Sequence, residues 1–353
     1  MKILAIKFKL LGDVAVMLPS LRAIHEHWPE AELHVLVRQE AVPVLENIPW
    51  INRVWGVPKR LGNGALKHTW NTVRTLRRLQ FERSVDFEGN DRGAFLSFLV
   101  GAKIRLGSLA GGGFMGRRFC YSMVCDKAPN GIHEVHRDIH TLKGWIVPPP
   151  SSFEPEVCAS PELAGVAGFL LPQKGAVVAH LSTSQPKKEW PVDCWAQIAI
   201  RAAQKGIPLF FSSGVSTRER ELLERLSALF PKASLLPQTP DLRTFIAVIA
   251  RSSVFISGDT GPLHLAAGLG IKTIGIFGPS DIEQWLPLSE NCSGLTGSHC
   301  ACSGHAQCCE SSAPCIRGVS VEDVWKKVCQ CYDESITKSY GCSSDQRLND
   351  SPQ

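Results

Sequence analysis

The chain has 353 residues, 44% hydrophobic and 20% charged, the balance of a folded globular protein; a collagen-like or largely disordered chain is excluded. A formal net charge of +5 is too small to imply nucleic-acid binding, and the aromatics do not interleave with basic residues as a single-strand binder requires. No stretch approaches the roughly 20 apolar residues of a spanning helix, so neither a nucleic-acid partner nor a transmembrane segment is expected.

Residues 3–8 are an apolar run that reads as a buried strand. Lys7, Lys9 and Asp13 interrupt the apolar region that a secretory signal needs, so the chain reads as cytoplasmic. Gly12 and Asp13 then open a helix to about His27, with Val14, Leu18, Leu21 and Ile24 at helical spacing. Residues 33–37 form a second strand. Residues 70–79 form a basic helix carrying Arg74, Arg77 and Arg78. Strands at 84–87 and 103–106 and a helix at 134–145 follow. This strand–helix rhythm predicts a parallel sheet with crossovers.

Pro148, Pro149 and Pro150 can neither continue a helix nor enter a central strand, so the domain boundary falls within 147–172. The second half repeats the rhythm. Strands are expected at 176–181, 208–212, 254–257 and 273–277, and helices at 192–204, 218–230, 242–250 and 263–269. The fold class is therefore α/β, with two doubly wound domains at residues 1–160 and 161–335 and a disordered tail at 336–353. Such sheets bind ligands at the carboxyl ends of their strands, where both Gly12-Asp13 and residues 258–261 lie. Two such domains facing each other would leave a substrate cleft.

Four constellations carry candidate chemistry. In Gly258-Asp259-Thr260-Gly261-Pro262-Leu263-His264 a strand enters a glycine turn and a helix. Its first N–H groups suit a phosphate or diphosphate, Asp259 suits sugar hydroxyls, and His264 either donates to phosphate or packs. An ordinary turn capped by Asp259 is the plain alternative. Ser182-Thr183-Ser184, followed by Lys187 and Lys188, reads as a second anion-binding set or as a solvated basic loop. Asp13 reads as a helix cap or, in a cleft, as a general base. Nine of the thirteen cysteines lie beyond residue 291, yet no C-x-x-C occurs. Cys300, Cys302, Cys308 and Cys315, with His299 or His305, are a weak alternative as a metal site; free thiols are the other reading.

Other features read more plainly. His133, His136 and His140 share a helical face and read as packing residues. The basic stretch of Arg53, Lys59, Arg60, Lys67, Arg74, Arg77 and Arg78 is either a solvated face or a surface for an anionic substrate. No Asp-x-Asp occurs, so a diphosphate-clamping divalent metal is not expected. No G-x-G-x-x-G follows the first strand, which disfavours an NAD oxidoreductase.

Taken in order, these residues resemble glycosyltransferase family 9, the heptosyltransferases that add ADP-activated heptose to the lipopolysaccharide inner core. The likeness covers roughly residues 1–330. It runs through Gly12-Asp13, Leu18-Pro19-Ser20-Leu21-Arg22, Asp86-Phe87-Glu88-Gly89 and His133-Glu134-Val135. It continues through His180, Lys188-Glu189-Trp190-Pro191, residues 258–264, Phe277-Gly278-Pro279-Ser280 and Val321-Glu322-Asp323-Val324. The resemblance implies a GT-B architecture with the acceptor on the first domain and the nucleotide sugar on the second. It implies inverting, metal-independent transfer without a cofactor. Asp13 matches the family's catalytic base and Lys188 its phosphate-contacting lysine, with Thr183 and Ser184 nearby. Asp259, Thr260 and Gly261 match the donor-binding turn, and His264 its helix. Gly12, Arg60, Arg74, Arg77 and Arg78 are candidate acceptor contacts.

The family often places a ribose-binding glutamate just after the glycine of this domain's second strand. Here Gly214 is followed by Val215 and Ser216, and the first glutamate is Glu219. The implied partners are ADP-heptose or a related nucleotide sugar and a lipopolysaccharide core acceptor, met in the cytoplasm or at the inner-membrane surface. Alternatives are a GT-B transferase with another sugar and glycan, an epimerase acting on the donor alone, and a non-catalytic nucleotide-sugar-binding protein.

Overall fold

The computed structural model describes residues 1–59, 64–109, 113–114, 116–297 and 315–341. The chain divides into two units, Met1–Cys158 and Ala159–Gln353. The boundary follows from how the segment after Trp145 is held. Arg22 donates to Ser152 O (3.2 Å), Glu154 O (2.9 Å) and Glu156 Oε2 (2.9 Å), and Asn47 donates to Cys158 O (3.3 Å). The proline segment is thus strapped onto the first unit.

The first unit contains strands β1 (Lys2–Lys7), β2 (Glu32–Arg38), β3 (Arg53–Val57), β4 (Arg83–Asp86), β5 (Ile104–Ser108) and β6 (Met123–Cys125). They form one parallel sheet in the order β3-β2-β1-β4-β5-β6. The second unit contains β7 (Val177–His180), β8 (Leu209–Ser212), β9 (Ser234–Leu235), β10 (Val254–Gly258), β11 (Lys272–Phe277) and β12 (Cys292–Thr296). They are parallel in the order β12-β11-β10-β7-β8-β9. Counted within its own unit, each sheet has the doubly wound order 3-2-1-4-5-6. The winding therefore reverses beside β1 and β4 in one unit and beside β7 and β10 in the other.

The central strands read as continuous apolar runs because helices cover both their faces. Ile3, Leu4, Ala5 and Ile6 are fully buried, as are Val177, Val178 and Ala179. The edge strands β3, β6, β9 and β12 are short and less buried, which is why their sequences carry no such run. The expected helix from Gly12 to His27 is two helices, Leu11–Val16 and Leu18–His27. Pro19, without an N–H, sits in the first turn of the second. Asp91–Val100 is a helix the sequence did not suggest; Asn90 caps it by accepting from Gly93 N (2.9 Å), and Gly101 ends it at φ 73°.

The expected disordered tail from 336 needs correction at its start. Helix Val321–Gly341 carries through it, held to the second sheet's core by Val324, Val328 and Cys331 at helical spacing. Residues 342–353 lie outside the described set.

Candidate active site

In the first unit, the loops leaving β1 and β4 meet at the winding reversal. Asp13 stands in the first turn of helix Leu11–Val16, and its Oδ2 accepts from Leu10 N (3.2 Å), so it does cap its own helix. Its Oδ1 lies 3.7 Å from Lys9 Nζ, and the side chain keeps 14% exposure. Burial lowers the pKa of Lys9, but Asp13, Asp138, Glu134 and Glu88 together hold it above the ordinary lysine value. Lys9 is therefore a cation kept charged among four carboxylates. Lys7 is paired with Asp138 beneath it, both buried. Gly12, beside Asp13, is buried in the same helix start.

The β4 side of this edge is built from Asp86 and Glu88. Asp86 is fully buried; burial pushes its carboxyl up to about 7, against the pull of Tyr121 Oη, which donates to it at 2.6 Å, and of Glu88 N at 2.9 Å. Glu88 Oε2 in turn accepts from Phe8 N (2.8 Å), tying the loop before Asp13 to the end of β4. A buried tyrosine–carboxylate pair thus fixes the turn that fixes the Asp13 loop. None of this network is visible as a motif with chemistry, because it rests on long-range pairing.

Two arginines not singled out by sequence reach this same edge. Arg38 ends β2, and its Nε is buried with no hydrogen-bond partner among the described residues. Arg92, in the first turn of helix Asp91–Val100, donates to Pro58 O (2.8 Å) and lies 4.6 Å over the Phe8 ring. Burial, then Arg38, lowers the pKa of Arg92.

The sequence-derived acceptor contacts fare differently. Helix Ala65–Arg78 connects parallel strands β3 and β4, so it runs back from the carboxyl edge and its last turn lies at the opposite, amino edge. Arg77 and Arg78 occupy that last turn, and Arg77 donates to Leu99 O (3.0 Å). Arg74, Arg77 and Arg78 are thus not brought to the Asp13 turn. Arg60 lies outside the described residues.

In the second unit the reversal lies between β7 and β10. Lys188 Nζ is 2.6 Å from Asp259 Oδ2, with side chains 15% and 7% exposed. Ser280 donates to the same Oδ2. Asp259 Oδ1 and the remaining ammonium donors are left for a ligand. Thr260 precedes helix Gly261–Gly268 with extended backbone and no side-chain cap bond; Pro262 lacks an N–H and Leu263 N donates to Thr260 O (3.1 Å), so the backbone donor that the first turn offers is Gly261 N. Gly258 is required by close approach: a Cβ there would lie 2.8 Å from Lys188 O. His264 is buried, edge-on to Trp285 at 6.5 Å, so it packs within the unit.

Thr183 departs from expectation. Its hydroxyl donates to Gln185 O (2.6 Å) and accepts from Gln185 N (3.2 Å), so it shapes the turn. Ser184, exposed, is the hydroxyl this loop presents. Two further groups clamp the loop. Glu189 Oε1 accepts from Thr183 N (2.9 Å) and from Arg218 Nη1 (2.7 Å), and Arg218 Nη2 donates to Thr183 O (2.6 Å). Glu189 sits in a recognisable run, but Arg218 carried no signal.

Glu219 is the first glutamate after Gly214. Glu219 accepts from Ser216 N (3.2 Å) in a capping box, and its carboxylate lies directly over Gly214: a Cβ there would be 2.3 Å from Oε1. His180, buried at the end of β7 against Ser212 Oγ (3.0 Å), is pushed down to about 4 by burial.

The histidines at 133, 136 and 140 do not form a ligand set. His133 caps helix Glu134–Leu142 through Nδ1, which accepts from Val135 N (3.1 Å), while His136 is exposed against Phe153. Among the described residues no group of three or more His, Cys, Asp or Glu is placed to hold a metal. Cys300, Cys302 and Cys308 lie outside those residues; Cys315 opens a short 3-10 turn. No described helix is long and apolar enough to cross a membrane.

The model of glycosyltransferase family 9 (heptosyltransferase) matches residues 69–313. The chain is 25% identical over 282 residues to the lipopolysaccharide core heptosyltransferase OpsX of Haemophilus influenzae, covering 77% of each. It is 26% identical over 330 residues to lipopolysaccharide heptosyltransferase 1 of Pseudomonas aeruginosa, covering 90% of this chain and 86% of that one. Its fold is similar to a family 9 glycosyltransferase from Veillonella parvula, with TM-score 0.83 at 18% identity over 94% of this chain and 97% of that one. It is also similar to the ADP-heptose lipopolysaccharide heptosyltransferase II of Escherichia coli, with TM-score 0.76 at 16% identity over 95% and 99%.

Proposed function

The chain belongs to glycosyltransferase family 9, and from that premise we propose that it moves a heptose from ADP-heptose to the inner core of lipopolysaccharide, with inversion and without a metal ion. The observation that carries this reading is the Lys188–Asp259 pair, 2.6 Å apart at the winding reversal of the second sheet, beside the open first turn of helix Gly261–Gly268. A point cation, the Gly261 N–H and a carboxylate with one free oxygen suit a sugar diphosphate.

The acceptor hydroxyl attacks the anomeric carbon and gives its proton to Asp13. As the new C–O bond forms, the bond from that carbon to the diphosphate oxygen breaks, and the ADP leaves with the electron pair. Lys188, Ser184 and the N–H group of Gly261 stabilise the charge that develops there. One displacement inverts the anomeric centre. Asp259 holds Lys188 in place and offers Oδ1 to a sugar hydroxyl, and Glu219, over Gly214, takes the ribose. The anionic groups of the core meet Arg38 and Arg92 at the first sheet's carboxyl edge, in place of Arg74, Arg77 and Arg78. The acceptor's lipid places the reaction at the cytoplasmic face of the inner membrane.

The test is a donor screen read by product mass. ADP-heptose, UDP-sugars and GDP-sugars are each incubated with deacylated core oligosaccharide, with and without EDTA. A product one heptose heavier, from ADP-heptose, undiminished by EDTA, is expected. Consumption of donor without acceptor, transfer from another nucleotide only, or a strict need for added magnesium would each overturn the reading.

A further inference from the structure

Residues 47–81 carry seven lysines and arginines and no acidic residue, and residues 92–125 carry five and none. The fold sets a helix from each of these stretches side by side. Helices Ala65–Arg78 and Asp91–Val100 lie on one face of the first sheet, where Val73, Leu76, Leu96 and Val100 pack on Leu4 and Ile6. The turn Arg117–Cys120 follows beside them: Arg105 lies 5.9 Å from the Phe98 ring and donates to Cys120 O (2.8 Å). The outer side of this layer carries exposed apolar side chains among its exposed cations. Trp70 is 59% exposed, Leu66 57%, Phe95 54%, Phe98 49% and Phe119 79%. Leu66, Trp70 and Arg74 recur every four residues as one stripe of the helix, with Lys67 and Arg78 flanking it.

We propose that this outer face docks on an anionic lipid bilayer, with Trp70, Phe98 and Phe119 entering the interfacial region and the surrounding lysines and arginines meeting the headgroups. Exposed aromatic rings bounded by cations are the composition of a surface that lies in a lipid interface. Polybasic surface is attracted to anionic headgroups. A second copy is a poor occupant, because apposing the face on itself brings two like-charged fields together. The assignment gives Arg74 and Arg78, absent from the carboxyl edge, a role on the flank of the unit. It stands independently of the transfer reaction.

Sedimentation of the full chain with vesicles tests it. The chain is expected to co-sediment with vesicles of phosphatidylcholine mixed with phosphatidylglycerol and not with phosphatidylcholine alone. At about fivefold per charge removed, Lys67→Gln/Arg74→Gln/Arg78→Gln is expected to lower the partition about a hundredfold. Trp70→Ser/Phe98→Ser is expected to bind at low salt and to release at physiological salt, where headgroup attraction is screened. An unchanged melting temperature shows that each variant is folded. Equal binding to neutral and anionic vesicles, absence of binding, or an unaffected charge variant overturns the proposal. So does a lipid-free dimer that Trp70→Ser/Phe98→Ser dissociates, which would assign the face to a second copy.

Discussion

The ammonium of Lys188 lies 2.6 Å from Asp259 Oδ2, joining the loop after β7 to the loop after β10 across the point where the sheet's winding reverses. In the proposed reaction, Lys188 is held there to receive the diphosphate. Lys188→Ala is expected to weaken ADP binding about 10- to 100-fold, the worth of one charge-assisted hydrogen bond. Calorimetry reads this directly, and unchanged affinity would remove the lysine from the phosphate site.

Asp259→Asn separates the two duties of that carboxylate. ADP, which carries no sugar, is expected to bind at least as tightly once the competing charge is gone. ADP-heptose is expected to lose its advantage over ADP, because the free Oδ1 no longer accepts from the sugar as an anion. Equal weakening of both ligands would show that Asp259 serves only to hold Lys188.

Gly258→Ala tests the closeness of the two loops. The added methyl would meet Lys188 O at 2.8 Å, a backbone atom that cannot swing away. A loss of about 1–3 kcal/mol in stability is expected, with weaker ADP binding. Gly165→Ala is the control: nothing lies within 4 Å of its Cβ position, so its melting temperature should hold or rise.

The buried Asp86 gives a pH signature. Its folded carboxyl titrates at about 7 against an ordinary 3.8, so the folded chain binds the proton more tightly than the unfolded chain between these values. Its contribution to stability therefore falls as pH rises from about 4 to 7. Asp86→Asn, which keeps the acceptor for Tyr121 without the charge, should lose this dependence and gain most over wild type above pH 7. The difference between the two curves of melting temperature against pH isolates this group from His180, whose depressed value of about 4 acts with the opposite sign. A flat difference curve would show that Asp86 is ionised throughout.

Much of the fold was legible because central parallel strands write themselves as unbroken apolar runs: residues 3–8 and 176–181 were readable as β1 and β7 almost to the residue. The edge strands were not, since β3 and β12 are only half-buried and need no such run. Asp13, Lys188 and Asp259 were readable because each follows a strand at a turn. Arg92 and Arg218 were not, because their roles depend on backbone carbonyls and carboxylates 29 or more residues away. Arg77 misled for the converse reason. Its charge was visible, but only the direction of its helix shows that it points to the wrong end of the sheet.

The central claim is that Asp13 takes the acceptor's proton. Asp13 is the third residue of its helix, and an asparagine Oδ1 there can still accept from Leu10 N, so Asp13→Asn keeps that bond while removing the base and its charge beside Lys9. The decisive measurement is the turnover number of Asp13→Asn on ADP-heptose and core acceptor, beside its melting temperature and ADP affinity. A fall of about 10²-fold or more with both controls unchanged is the predicted result. Turnover near that of the wild type would contradict it.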